Sequence, residues 1–380
     1  MSKIDTIEKI SDTLARVSIA VEPKRCSYIR NWNSRCKHCL NACQHEAIRR
    51  SIGRLSIDAE ACTECGACVA ACPTSTMATV APTMTEIVNQ TRALAAENGG
   101  HAYFVCTRHA EQMALDPEKV IVLPCLNYLD EYLITGLFAV KVKTVTLIAG
   151  DCENCPIDCS EPYFDLTVKN VEPLLKLWGI PDTLETVEQA PDSLHLEGGK
   201  KHVTAITSDR REAFKQAGTS VMGYLAQVVD DIVGTVTGEP IEKEDPDRQI
   251  IVRLDEVFPP DTYRSVRMLN MLDFLGTRPY GATVDSRFWA SVDIDPSKCK
   301  YCGACARMCV TRALRYTENE DDTVTLTFQP SLCVGCGLCK DSCLTRSMVY
   351  SSKVLADDLD RDVVKDLYRD HEKPKRNSFI

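Results

Sequence analysis

Short runs that alternate between apolar and polar residues recur along the chain. Leu55-Ser56-Ile57-Asp58, Ala290 to Asp295 and Thr325-Leu326-Thr327-Phe328 each repeat with period two, which predicts a half-buried strand. A cysteine-rich loop accompanies each run, followed by a helical turn such as Ala313-Leu314. Between these repeats the pattern changes. His101 to Val105, Val120 to Leu123 and Thr144 to Ile148 are unbroken β-branched and aromatic runs. The last two flank Asn127 to Val140, where Leu129, Leu133, Leu137 and Val140 stand at helical spacing. Strand–helix alternation of this kind predicts a parallel sheet, and Val171 to Trp178 predicts a helix that continues it. Beyond, Lys201 to Thr207 predicts a strand and Ser208 to Phe214 a helix capped by Ser208. Asp230 to Gln249, with Gly234, Gly238, Pro240 and Pro246 among acids, predicts a loop or linker. Tyr263 to Leu275 predicts an amphipathic helix.

The cysteines turn this pattern into chemistry. Of 21, sixteen fall into four tetrads. Cys62, Cys65, Cys68 and Cys72, then Cys299, Cys302, Cys305 and Cys309, then Cys333, Cys336, Cys339 and Cys343 follow Cys-x2-Cys-x2-Cys-x3-Cys. This is the spacing of two-cluster iron–sulfur modules, in which the fourth cysteine of one tetrad serves the partner cluster. Zinc sites use isolated Cys-x2-Cys pairs and need four ligands, not eight interleaved ones. Val310 and Leu344 replace the proline that often follows the fourth cysteine, while Pro73 keeps it; that proline shapes a turn and ligates nothing. The remaining tetrad is Cys26, Cys36, Cys39 and Cys43, with Asn33 where its first thiol would stand. Either Cys26 loops back, which costs little in closure entropy, or another ligand takes that iron. His38 and His45 are near enough in sequence to serve, although a solvated loop histidine is the commoner case. The crossed assignment gives Cys26, Cys36, Cys39 and Cys72 to the first cluster, and Cys62, Cys65, Cys68 and Cys43 to the second. Cys299, Cys302, Cys305 and Cys343 take the third, and Cys333, Cys336, Cys339 and Cys309 the fourth.

Five cysteines remain in the middle, and each lies after a predicted strand: Cys106, Cys125 and Cys152, with Cys155 and Cys159 close behind. Ligands of open parallel sheets gather at the carboxyl ends of strands. Buried free cysteines are common in such cores, but Asp151 to Cys159 is too polar and cysteine-dense for that. Cys106, Cys125, Cys152 and Cys155 are the candidate ligands of a fifth centre, with Cys159 spare or exchanging places with Cys152 or Cys155. A dithiol pair exchanging beside a cluster is the alternative. His101 and His109, which flank Cys106, read as surface or capping residues.

The chain therefore reads as a multidomain protein of mixed α/β and α+β class. Two ferredoxin-like 2[4Fe–4S] modules, residues 1–80 and 285–352, flank a parallel-sheet α/β domain at 100–225. Residues 226–284 form a linker and helix, and 353–380 a tail. At 380 residues several domains are expected. Net charge is −10, which disfavours nucleic acid and anionic membranes as partners. Residues 1–8 show no basic n-region or apolar h-region, and no apolar run approaches a membrane span, so a cytoplasmic location without membrane insertion is expected. A reducing compartment fits the cysteine usage. No flavin, nicotinamide or phosphate-loop fingerprint occurs, which places the terminal donor and acceptor on other subunits.

Pro124-Cys125-Leu126-Asn127-Tyr128-Leu129-Asp130, then a helix, a strand and Gly150-Asp151-Cys152-Glu153-Asn154-Cys155, resembles the small iron–sulfur subunit of methyl-viologen-reducing hydrogenases, which links hydrogenase to heterodisulfide reductase. The resemblance spans about residues 100–185. It implies that Cys125, Cys152 and Cys155 help to hold a [2Fe–2S] cluster. The single Cys106 after the first strand and the additional Cys159 depart from that family's pattern and leave [2Fe–2S] or [4Fe–4S] open. The expected function is an electron-transfer subunit of an oxidoreductase complex, with four [4Fe–4S] clusters, a central fifth and flavoprotein, hydrogenase or reductase partners. The rival expectations are an oxidoreductase that reduces a disulfide or small substrate at the central cysteines, and a regulatory iron sensor.

Overall fold

The computed structural model describes residues 19–79, 82–152, 154, 155, 157, 163–181, 184–196 and 263–374. Cys159, the expected strand and helix between Lys201 and Phe214 and the expected loop Asp230 to Gln249 lie outside the described residues.

Towards the N-terminus, β1 (Ile19–Val21), β2 (Ile48–Ser51), β3 (Arg54–Ile57) and β4 (Met77–Thr79) form two antiparallel pairs, β1 with β4 and β2 with β3. Two single-turn helices, α1 (His38–Ala42) and α2 (Ala67–Ala71), pack on each other. The α/β domain follows. α3 (Met84–Glu97) starts with a capping box in which Thr83 and Glu86 satisfy each other's backbone N–H, a helix the hydrophobic pattern alone passes over. Then come β5 (His101–Cys106), α4 (Thr107–Met113), β6 (Ile121–Leu123), α5 (Glu131–Ala139), β7 (Thr144–Ile148), α6 (Tyr163–Leu177) and β8 (Leu184–Val187). The four strands lie parallel in the order β6-β5-β7-β8. The expected helix over Asn127 to Val140 divides into a 3₁₀ turn at Leu126–Tyr128 and α5. Asp130 breaks the run because its carboxylate caps α5 by accepting from Leu133 N–H at 2.7 Å. α5 is buried along most of its circumference, since α3, α6 and a later helix, α7 (Arg264–Leu275), surround it.

In the last third, β9 (Thr283–Asp285) pairs with β14 (Lys353–Leu355), and β10 (Ser291–Ile294) with β13 (Met348–Ser351). α8 (Ala304–Met308) and α9 (Leu338–Asp341) are the cysteine-loop helices. β11 (Leu314–Glu318), β12 (Thr323–Phe328) and β15 (Lys365–Glu372) form a three-stranded sheet, so the segment beyond residue 352 contributes two strands. The expected helical turn at Ala313-Leu314 is corrected. The turn of helix lies between the third and fourth cysteines, and Leu314 opens β11 because Arg312 (φ 57°) has already reversed the chain.

That reversal is the local rule of all four cysteine loops. The third residue after each final cysteine, Glu46, Ser75, Arg312 or Arg346, has a left-handed φ of 49° to 57°. Its N–H donates to that cysteine's carbonyl. The α/β domain and the C-terminal module are not strung apart: Phe104, Leu133 and Leu147 share one buried cluster with Phe288, Trp289, Val354 and Leu359.

Candidate metal centres

Cysteines of paired tetrads come near one another in the fold: Cys72 stands by Cys26 and Cys39, Cys43 by Cys62 and Cys68, Cys343 by Cys299 and Cys305, and Cys309 by Cys333 and Cys339. Burial, then the charges of Cys72, Cys36 and Cys26, pushes the Cys39 thiol up to about 12. Cys26 is itself raised by burial and by Cys72 and Cys36, so the upstream cysteine stands beside the tetrad the spacing assigned to it. Cys68 is raised by burial, then by Cys65, Cys62, Cys39 and Cys43. Burial, with Cys302, Cys299 and Cys343, pushes Cys305 up to about 12. Burial, with Cys309, pushes Cys333 up to about 11, and Cys339 is raised by burial and by Cys333, Cys336 and Cys309. A set of half-buried and buried thiols of this kind is the donor set an iron–sulfur cluster requires. Among the described residues no three His, Cys, Asp or Glu side chains converge on a single-ion site.

Second contacts reach the sulfurs. Thr74, Thr311 and Thr345, each two residues after a fourth cysteine, place hydroxyls 3.5–3.6 Å from Cys72, Cys309 and Cys343 Sγ. In the first tetrad this position is His45, whose Nε2 instead meets the Ile157 carbonyl at 2.6 Å. Cys343 is the best served. Ser347 N–H donates to its Sγ at 3.3 Å and Ser347 Oγ lies 3.2 Å away. Burial raises this thiol, yet the Ser347 and Thr345 hydroxyls and backbone N–H groups outweigh it and leave Cys343 below the usual range. Ser347 also bonds to Cys299, so the two loops around this tetrad meet at one serine.

Two arginines, Arg264 buried and Arg287 half-buried, tie the N-terminal module to the α/β domain. Arg264, on α7, pairs with Asp130 and donates to the carbonyls of Val69 (3.0 Å), Ala70 (3.3 Å) and Cys72. Arg287 holds fully buried Glu131 with both ends of its fork, at 2.7 and 2.5 Å, and reaches Ala70 O at 3.0 Å and Tyr163 Oη at 2.6 Å. Both carboxylates stand at the start of α5, so four charges and the end of α2 form one network. Sequence patterning gave no sign of these arginines; only the unusual Asp130-Glu131 pair entering an apolar helix hinted at buried partners.

The central cysteines lie at the carboxyl edge of the parallel sheet, as expected. Cys106 ends β5 and Cys125 follows β6 by two residues. Cys152 and Cys155 occupy a turn after β7 that Arg108 braces by donating to Asn154 O at 3.1 Å. Burial, and the charge of Cys155 among others, raises Cys106, which brings those two together. His109 lies against Gly150, whose added Cβ would stand 2.6 Å from its ring. Tyr128 links this edge to the N-terminal module: burial, then Glu64, Cys65, Cys125 and Cys62, raises its phenol, and its ring covers Gly66. Beside Cys65 opens a cavity of ≈ 570 Å³, lined also by His38, His45, Asn127, Tyr163 and Lys169. Burial, then Arg287, lowers the His38 pKa.

Residues 34–77 and residues 298–347 each match the family model of the 4Fe-4S dicluster domain. The chain thus carries a [4Fe–4S]-type ferredoxin domain towards each end, which marks an iron–sulfur electron-transfer protein. No curated protein matches it. Among the described residues no helix is long and apolar enough to cross a membrane.

Proposed function

We propose that this chain is the iron–sulfur electron-transfer subunit of a cytoplasmic multisubunit oxidoreductase of hydrogenase or heterodisulfide-reductase-like type. Cys26, Cys36, Cys39 and Cys72 hold one [4Fe–4S] cluster, and Cys43, Cys62, Cys65 and Cys68 a second. Cys299, Cys302, Cys305 and Cys343 hold a third, and Cys309, Cys333, Cys336 and Cys339 a fourth. Cys106, Cys125, Cys152 and Cys155 hold a central fifth, with Cys159 in reserve. Such clusters accept and release single electrons. The partners are flavoprotein, hydrogenase or reductase subunits.

The observation that carries this reading is the order in which the tetrads stand. Tyr128 touches the central edge and the Cys62–Cys65 loop. Cys39 of one N-terminal tetrad neighbours Cys68 of the other. Across the two modules Cys36 is among the charges that raise Cys336, and Cys305 is among those that raise Cys339. Arg35 N–H donates to Asp341 at 2.7 Å and Tyr263 Oη to Val310 O at 2.8 Å at the same junction. Taken pair by pair, these neighbours support a relay in the order central site, second, first, fourth, third. A line is what a relay needs, and isolated ferredoxins on a flexible string would not hold it.

Iron and sulfide analysis of anaerobically purified protein tests the count. About sixteen irons are expected from four cubanes, with two to four more from the centre, and about eight or fewer would sink the assignment. Hydrogen bonds to cluster sulfurs raise reduction potential, so the Cys343 tetrad should be the least reducing end. Ser347→Ala removes one such bond and should lower that midpoint by about 20–60 mV, on a net hydrogen bond of about 0.5–1.5 kcal/mol. Potentiometric EPR titration reads it, and an unmoved midpoint contradicts the role.

A second reading rests on the cavity beside Cys65. Its volume suits a small organic molecule, and Ile157, two residues beyond Cys155, helps to line it, so the chain would reduce a disulfide or small substrate at the central cysteines. Alkylation of the reduced protein that labels Cys155 or Cys159 selectively and abolishes turnover would favour this reading; labelling without loss would favour the relay.

A further inference from the structure

We infer that the Cys299–Cys343 end of the molecule is the docking face for an acidic electron-transfer protein, an inference that rests on the relay reading for its purpose but not for its test. The chain carries a net charge of −10, yet Pro296 to Tyr316 contains five basic residues and no acidic one. Two loops bring part of this charge to one place. Lys298 and Lys300 flank Cys299, while Leu344 and Arg346 follow Cys343, and Ser347 bonds to both cysteines. Lys298, Lys300 and Arg346 are exposed. Lys298 is held by Asp295 at 2.6 Å, whereas Lys300 and Arg346 have no ion pair among the described residues. Arg307 adds a fourth exposed cation, fixed by its bond to Cys302 O at 2.7 Å.

On the loop that follows Cys343, two residues before Arg346 and joined to the Lys298 loop by the Asp295 N–H to Ser347 O bond at 2.7 Å, stands an exposed apolar side chain. Leu344 is 86% exposed and adjoins the cysteine whose sulfur is best hydrogen-bonded. An apolar centre with a charged rim is the anatomy of a transient protein interface. Beyond Tyr301, which stacks on His371 at 3.4 Å, the β11–β12 hairpin carries Glu318, Glu320, Asp321 and Asp322. The basic face therefore has an acidic border. An acidic partner is drawn to the face and repelled by its surroundings, which fixes orientation as well as attraction. The corresponding loop of the N-terminal module, with Glu60 and Glu64 around Cys62, has the opposite sign and does not offer the same site.

The test measures binding to the oxidised holoprotein by calorimetry, with an acidic plant-type [2Fe–2S] ferredoxin as probe and basic cytochrome c as control. The ferredoxin should bind, more weakly as ionic strength rises. The double variant Lys300→Glu/Arg346→Glu should weaken it about tenfold (about 1.4 kcal/mol) and improve cytochrome c binding. Leu344→Ser should weaken the ferredoxin with its salt dependence retained, and serves if the charge reversal disturbs folding. No ferredoxin binding, or affinities unchanged within about twofold in both variants, overturns the proposal. Iron content and EPR of the same samples report on the clusters separately, so a failed relay and a failed docking face give different results.

Discussion

Arg264→Met should destabilise the protein by about 3–5 kcal/mol and release iron from the N-terminal module first. The guanidinium is buried and serves four acceptors: Asp130 and the carbonyls of Val69, Ala70 and Cys72. Methionine fills similar volume but leaves a carboxylate of 2% side-chain exposure without its partner, and a buried unpaired charge is the expensive error. The loss falls on the backbone that carries Cys72, so cluster retention follows stability. Arg264→Lys keeps the charge but offers a compact ammonium in place of a planar fork, and should recover only part of the loss. Cluster proteins often unfold irreversibly, which makes the rate of iron release to a chelator under mild denaturant the suitable measure. Release from Arg264→Met no faster than from the parent would show that the network carries no such load.

Gly66→Ala comes next in size. Gly66 follows Cys65 with φ +80°, and an added Cβ would stand 2.7 Å from Tyr128 Cδ2. The left-handed backbone costs a non-glycine residue about 1–2 kcal/mol, and crowding a fixed ring adds about 1–3 kcal/mol. Tyr128 is 7% exposed and cannot simply swing into solvent. The two contributions separate in a double-mutant cycle: Tyr128→Ala in the Gly66→Ala background should restore the steric part and leave the backbone part. Full additivity of the two substitutions, measured by denaturant midpoint, would mean that ring and glycine do not oppose each other. Because Tyr128 lies between Cys65 and Cys125, the single variant should also slow electron exchange between the central site and the N-terminal module.

The cysteine ladder was readable because cluster chemistry fixes the local spacing. Cys-x2-Cys-x2-Cys-x3-Cys encodes a loop, and the left-handed residues Ser75, Arg312 and Arg346 with the threonines at 74, 311 and 345 show that loop repeated in three dimensions. The parallel strands were readable for a similar reason, since β5, β6 and β7 are buried on both faces and so appear as continuous β-branched runs. α3 was missed although Thr83 and Glu86 spelled its start and its buried positions Ile87, Thr91 and Ala95 stand at helical spacing; two of those three are small or polar and give little apolar signal. The helical turn assigned to Ala313-Leu314 failed because one left-handed residue, invisible in periodicity, had already turned the chain.

By itself the sequence determined which loops carry cysteines at cluster spacing, how the loops repeat, and that a parallel sheet delivers further thiols to one edge. These are local matters, set by chain spacing and by the alternation of apolar and polar side chains. Only the tertiary structure decided how the modules stand. Arg264 and Arg287 meet Asp130 and Glu131 across 134 and 156 residues of chain, and Cys36 finds Cys336 through a junction no pattern announces. Buried ion pairs and a shared core between distant segments depend on the complete fold, because their desolvation is tolerable only when every partner is already in place. The spacing supplies the cysteine loops, and the packing sets them against one another.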